Sequence, residues 1–254
     1  MDIDSWDITL NDLTLGYGET VVLESVSDVL PAGKTSVILG GSGCGKSTLL
    51  KHILGLMKPM KGRILIGGND LFSLPHSDFR SIRRRMGVLF QDGALLGSLT
   101  LAENVALPLK EHTRMKDKEI AEKVHSKLEL VGLDEFGGYY PSELSGGMKK
   151  RGGLARSIVN DPPLLLCDEP TSGLDPVNAA TMDRMLKRMQ QRLGSTMVVV
   201  SHDLASLHEI ADHVLVLNEG RVAYAGDLAG MESSNDPYLR RFLAREPEPE
   251  NTLD

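Results

Sequence analysis

Apolar and polar residues partly alternate from Asp7 to Leu13, the spacing of a half-buried strand, and Val21–Val29 continues that character. Pro31-Ala32-Gly33-Lys34 interrupts it with a turn, and Thr35–Leu39 reads as a short buried strand. A helix is expected from about Lys46 to Gly55, followed by strands at Gly62–Gly67 and Met86–Phe90. From about Leu99 to Asn160 the period becomes helical, with Ile120, Val124, Leu128 and Val131 on one face. Beyond it, Leu164–Asp168 and Met197–Ser201 predict strands on either side of a helix over Asn178–Leu193. Val214–Asn218 and Arg221–Ala225 flank Glu219-Gly220 as a hairpin. After Met231 the chain turns polar; Pro237–Leu243 predicts a short helix and Glu246–Asp254 a disordered end.

Strands and helices mixed in this order predict an α/β fold, a mixed sheet with flanking helices and an antiparallel β part. At 254 residues, 41% hydrophobic and 25% charged, the chain can bury a full core. Its longest apolar runs, such as Met197–Val200, fall far short of a membrane span, and Met1-Asp2-Ile3-Asp4 lacks the basic-then-apolar pattern of a secretory signal. A cytosolic chain is expected, with any membrane role requiring a partner. The net charge of −7 argues against a general nucleic-acid binder. Two cysteines, Cys44 and Cys167, fit a reducing compartment, and no internal repeat points to a tandem architecture.

Between the expected strand Thr35–Leu39 and the helix after it stands Gly40-Gly41-Ser42-Gly43-Cys44-Gly45-Lys46-Ser47, with Thr48 next, a full match to the P-loop pattern. Its glycines let backbone N–H groups turn inward on a polyphosphate, and the helix N-terminus adds favourable electrostatics. Lys46 is expected to reach the β- and γ-phosphates, and the Ser47 hydroxyl to ligate Mg²⁺. Asp168 ends an apolar strand, where a lone carboxylate is costly unless it meets a cation, and Mg²⁺ would supply one. Glu169 follows at the strand mouth, placed to polarise an attacking water.

A second Gly-rich segment, Leu144-Ser145-Gly146-Gly147-Met148, precedes that carboxylate pair at the start of a helix. Together with the P-loop it resembles the ATP-binding cassette family, whose members mostly drive membrane transport; the likeness runs from about Asp7 to Asp227. The resemblance implies a P-loop ATPase core, residues 7–230, with an inserted helical subdomain at about 99–160 and an extension over 231–254. It implies that Tyr17 stacks on adenine and that Gln91 contacts Mg²⁺ and water. His202 then becomes the switch histidine at the γ-phosphate, and Asp175 the aspartate of a loop, Ser172–Asp175, crossing a dimer interface. Ser145, Gly146 and Gly147 would cap the γ-phosphate bound by a second copy, which implies two ATP molecules sandwiched between subunits.

Two departures stand in the signature helix. Met148 replaces the family's usual glutamine, and Gly152-Gly153 lie inside a helix, each at a cost of about 1 kcal/mol against alanine. Close packing is one explanation for the glycines. The apolar residues Ala94, Leu95, Leu96, Leu99 and Leu101 beside Gln91 form, if exposed, a docking surface for an integral membrane permease. Phe90–Leu96, Glu103–Leu109, Met148 and the tail Asp236–Leu243 resemble the ATPase of Mla-type phospholipid transport systems. In that subfamily the extension reaches toward the opposite ATPase subunit. The expected place of work is therefore peripheral, on the cytoplasmic face of the inner membrane; a polar-solute importer or a lipoprotein-release ATPase is the alternative, and a soluble ribosome- or DNA-linked cassette a more distant one.

Overall fold

The structure, a computed structural model, describes Ile3 and residues 5–246. Strand β1 (Ile8–Tyr17) pairs antiparallel with β2 (Thr20–Leu30) and with β4 (Lys61–Ile66), which also pairs with the short β5 (Asn69–Asp70). A second, six-stranded sheet is built on β3 (Thr35–Leu39), β6 (Met86–Leu89), β7 (Leu164–Asp168), β8 (Thr196–Val200), β9 (His213–Asn218) and β10 (Arg221–Gly226). Its order is β10-β9-β3-β8-β7-β6, parallel except for the β9–β10 hairpin.

The central strands are continuous apolar runs because both faces are covered. Along β7, Leu164 and Leu166 pack toward the antiparallel sheet, whereas Leu165 and Cys167 pack toward the opposite helices. Val198 and Val200 of β8 divide from Met197 and Val199 in the same way. The layer beneath the antiparallel sheet holds Trp6, Leu15, Leu23 and Ile64 against α1 (Lys46–Ile53). The other face carries α6 (Pro176–Leu193), α7 (Leu204–Ile210) and the helical lobe.

That lobe comprises α3 (Leu101–His112), α4 (Asp117–Leu130) and α5 (Gly146–Ser157), with 3₁₀ turns at Asp134–Phe136 and Pro141–Glu143. Helix α3 opens on a capping box, Thr100 accepting from the Glu103 N–H while the Glu103 carboxylate accepts from the Thr100 N–H. Fully buried Asn104 donates to the carbonyls of Leu96, Leu99 and Thr100, fixing the loop that carries the expected docking residues.

Several elements exceed the sequence reading. β1 runs on to Tyr17 because a bulge at Asp12, φ 44°, resets the alternation and turns Leu13 and Leu15 to the buried face. Helix α2 (His76–Arg84) buries only Ile82, too little to show a period. α6 starts two residues early, with Pro176 in its first turn and Asp175 as its cap. Helices α8 (Leu228–Glu232) and α9 (Pro237–Ala244) close the described chain, and their Met231 and Leu239 enter the same core as the lobe. Residues 247–254, within the expected disordered end, lie outside the described residues.

Candidate nucleotide site

Four neighbouring strands of one sheet, β3, β8, β7 and β6, end at the same edge, where ligands bind in open α/β sheets. β3 delivers the P-loop, β8 leads into His202, β7 ends in Asp168 and Glu169, and β6 leads into Gln91. Sheet order, not sequence distance, brings them together. Gly40, Gly41, Ser42, Gly43, Gly45, Lys46, Ser47, Thr48, Gln91, Glu169 and His202 line one cavity of about 590 Å³.

The loop depends on glycine at two points. Gly40, φ 148°, would place a Cβ 2.3 Å from the Leu217 carbonyl, and Gly45, φ 103°, would place one 2.7 Å from the Leu23 side chain. Lys46 is buried, its ammonium donating to the carbonyls of Gly40 and Gly41 at 2.9 and 2.8 Å, with the half-buried Cys44 Sγ 3.9 Å away. The Ser47 hydroxyl donates to Asp168 Oδ1 at 3.2 Å, so two of the three expected Mg²⁺ ligands already meet. Burial holds the Asp168 carboxyl above its ordinary range; the Ser47 hydrogen bond opposes that shift, the Glu169 charge adds to it, and Lys51 and Lys46 pull it back.

Glu169 turns its carboxylate to His202, with Oε2 2.7 Å from Nδ1. The carboxylate is largely enclosed, whereas the imidazole is mostly exposed. Tyr17 stands over α1 with 43% of its surface exposed, its hydroxyl 3.2 Å from Thr48 Oγ1 and its ring 5.7 Å from the Lys51 ammonium. The Thr48 hydrogen bond and the Lys51 charge hold its phenol below the usual tyrosine range despite partial burial.

The remaining expected residues serve other places in this chain. Ser145 caps α5, accepting from the Met148 N–H, and Ser145, Gly146 and Gly147 are not among the residues lining the cavity. Asp175 caps α6 through the N–H groups of Val177 and Asn178. Of the expected docking residues, Leu101 is buried, Leu95 and Leu99 are half-buried, and Ala94 and Leu96 are exposed. Phe90, 44% exposed, joins Ala94, Leu107, Pro108, Arg83 and Arg156 around a groove of about 450 Å³.

Two contributors escaped the sequence reading. Phe242 of α9 also lines the cavity; it lies 40 residues past His202, in a tail segment whose resemblance pointed to the opposite subunit and not to this site. Arg156 of α5 donates to the carbonyls of Gly93 and Ala94 at 2.9 and 2.8 Å, binding the segment after Gln91 to the signature helix.

The sequence model of the ABC transporter family matches residues 23–172. The chain is 42% identical over 236 residues to a probable ribonucleotide transport ATP-binding protein, mkl, of Mycobacterium tuberculosis, covering 93% of this chain but only 66% of that longer protein. It is 37% identical to the intermembrane phospholipid transport system ATP-binding protein MlaF of Escherichia coli, over 93% of this chain and 88% of MlaF. Among solved structures it resembles a dimeric post-hydrolysis state of the ATP-binding cassette MJ0796 bound to ADP and Pi, with a TM-score of 0.78 and 32% identity over 87% of this chain and 98% of that one. Sheet order, P-loop geometry and these similarities agree: the chain belongs to the ABC transporter family.

Proposed function

We propose that this chain is the ATP-binding and ATP-hydrolysing subunit of a transporter that moves phospholipid across or between membranes, driven by closure of a dimer on ATP. The observation that carries the catalytic part is the convergence of Lys46, Ser47, Asp168, Glu169, Gln91 and His202 on one sheet edge. Lys46 exchanges the carbonyls of Gly40 and Gly41 for the β- and γ-phosphates. Tyr17 stacks on the adenine. Glu169 accepts a proton from the attacking water, and His202 orients Glu169 and contacts the γ-phosphate.

The donor set fits Mg²⁺. Ser47 and Asp168 present oxygens 3.2 Å apart, Gln91 lines the cavity with Ser47, and hard divalent cations prefer such oxygen ligands. Mg²⁺ held there would neutralise charge on the phosphate oxygens. A cation also favours the ionised Asp168 that burial opposes.

Ser145, Gly146 and Gly147 do not line the chain's own cavity, which fits a role on the nucleotide of a second copy. In this reading residues 7–230 are the motor, the lobe at about 99–160 carries the signature and one side of the docking groove, and 231–254 is an assembly extension. The groove at Phe90, Ala94 and Pro108 receives a membrane-embedded permease segment. No described helix is long and apolar enough to cross a membrane; in this reading the chain is held by its permease, peripherally, at the cytoplasmic face of the inner membrane. The likeness to MlaF over 88% of its length supports phospholipid as cargo, with the cargo carried by other subunits.

The test has two parts. Glu169→Gln should lower turnover by roughly 10²- to 10⁴-fold and hold an ATP-bound dimer on size-exclusion chromatography; normal hydrolysis would remove Glu169 as base. Recovery of the chain from native membranes in mild detergent should bring a multi-span protein and phospholipid. A permease carrying a polar solute such as a ribonucleotide would keep the motor and change the cargo.

A further inference from the structure

Lys150, on the signature helix α5, is only 6% exposed, and a buried cation is costly unless its surroundings compensate. Every acceptor of its ammonium lies on the segment that begins at Glu169. It donates to the Glu169 carbonyl at 3.2 Å, to the Ser172 hydroxyl at 2.9 Å and to the Ser172 carbonyl. Ser172 in turn donates to the same Glu169 carbonyl, from its hydroxyl at 3.0 Å and its N–H at 3.2 Å. Three donors therefore converge on one carbonyl, while the Glu169 N–H donates to the Val200 carbonyl at 3.0 Å.

The peptide groups on both sides of Glu169 are thus tied down, and they need to be. Glu169 has φ 50°, a left-handed conformation that a non-glycine residue adopts at a cost of roughly 1 kcal/mol or more. That conformation aims its carboxylate at His202. Burial pushes the Lys150 ammonium below the usual lysine range, and the nearby carboxylates of Asp92 and Glu169 offset part of the shift. A nonpolar side chain of similar length would fill this space without the desolvation penalty. What the amine adds is a directed bond from the signature helix to the backbone of the base.

We propose that Lys150 is a positioning residue for hydrolysis: it links α5 to Glu169 and holds the base in its working conformation, so that movement of the signature helix on dimer closure reaches the hydrolytic carboxylate of the same chain. The inference rests on the ATPase reading above and extends it to a residue outside the cavity lining. Displacing a reacting group by about 1 Å can cost on the order of 100-fold in rate. Lys150→Met should therefore lower kcat by about 10-fold or more, while KM and the affinity for a fluorescent ATP analogue change less than about twofold.

Lys150→Arg keeps the charge and the donors and should recover part of the lost rate. In a Glu169→Gln background, Lys150→Met should lower turnover no further, because the group it positions is already gone. If Lys150→Met does not fold, Lys150→Gln is measured against the same criteria. Wild-type kcat in the neutral variant overturns the proposal, as does a parallel loss of nucleotide affinity and thermal stability, which marks a merely structural lysine. An inactive wild-type protein would instead overturn the ATPase reading itself.

Discussion

Asp183, which does not line the candidate nucleotide cavity, shows how far burial with like charges nearby can move a carboxyl. It is 3% exposed on α6; Oδ2 accepts from the Ser206 hydroxyl of α7 at 2.8 Å, and Ser206 in turn meets Thr171 at 3.4 Å. Burial pushes its pKa up to about 6; the Ser206 hydrogen bond opposes this, and the charges of Asp203 and Glu209 add to it. A raised pKa means that the folded state holds a proton the unfolded state releases. Stability from this group is therefore full below the ordinary value of 3.8 and is lost as pH rises through about 6. Over that window the loss is on the order of 2–3 kcal/mol. Asp183→Asn keeps an acceptor for Ser206 and cannot ionise, so the wild-type-minus-variant stability from urea unfolding should fall between pH 4 and about pH 7. A difference that does not change with pH would place the titration elsewhere.

At the scale of elements, the signature helix and the segment after Gln91 pack backbone to backbone. A Cβ on Gly153 would stand 2.7 Å from the Gly93 Cα and 2.8 Å from its carbonyl oxygen, and one on Gly152 would stand 2.5 Å from Leu101 Cδ1. These contacts account for a glycine pair inside a helix and favour the close-packing explanation. They also let Arg156 reach the carbonyls of Gly93 and Ala94. Gly153→Ala gains about 1 kcal/mol of helix propensity. The obstructing atoms are backbone, so overpacking at about 1–3 kcal/mol outweighs that gain. The variant should be less stable to urea and should hydrolyse ATP more slowly, since the displaced loop carries Gln91. Equal stability and equal rate would show that the loop yields without consequence.

For the whole molecule, the extension is part of the core as far as α9. Asp236 caps that helix through the N–H groups of Tyr238 and Leu239; Leu239 is 1% exposed, and Phe242 reaches the nucleotide cavity. Removal of everything after Asp236 uncovers the seat of Leu239, worth about 2 kcal/mol for one side chain of that size. The truncated chain should still fold, melt at a lower temperature, and lose ATPase activity or dimer assembly. Unchanged melting and an unchanged rate would make α9 a bystander.

The sequence by itself determined the strands β3 and β7, the P-loop between strand and helix, the carboxylate pair and the signature segment. These are local: a buried strand needs a continuous apolar run, and a phosphate loop needs glycines at set spacing. It also marked the helical lobe through its period. Tertiary structure decided the rest. Whether Leu101 is core and Leu96 surface depends on what packs over each, and identical side chains carry no record of that. The bulge at Asp12 hid half of β1, and α2 buried too little to show a period. The meeting of Ser47 with Asp168 and of Glu169 with His202 follows from the sheet order β3-β8-β7-β6, which arises from long-range pairing. Lys150 reads in sequence as one of three adjacent basic residues on a helix. Only folding encloses it and turns its amine onto the carbonyl of Glu169, because burial and direction are properties of the assembled chain.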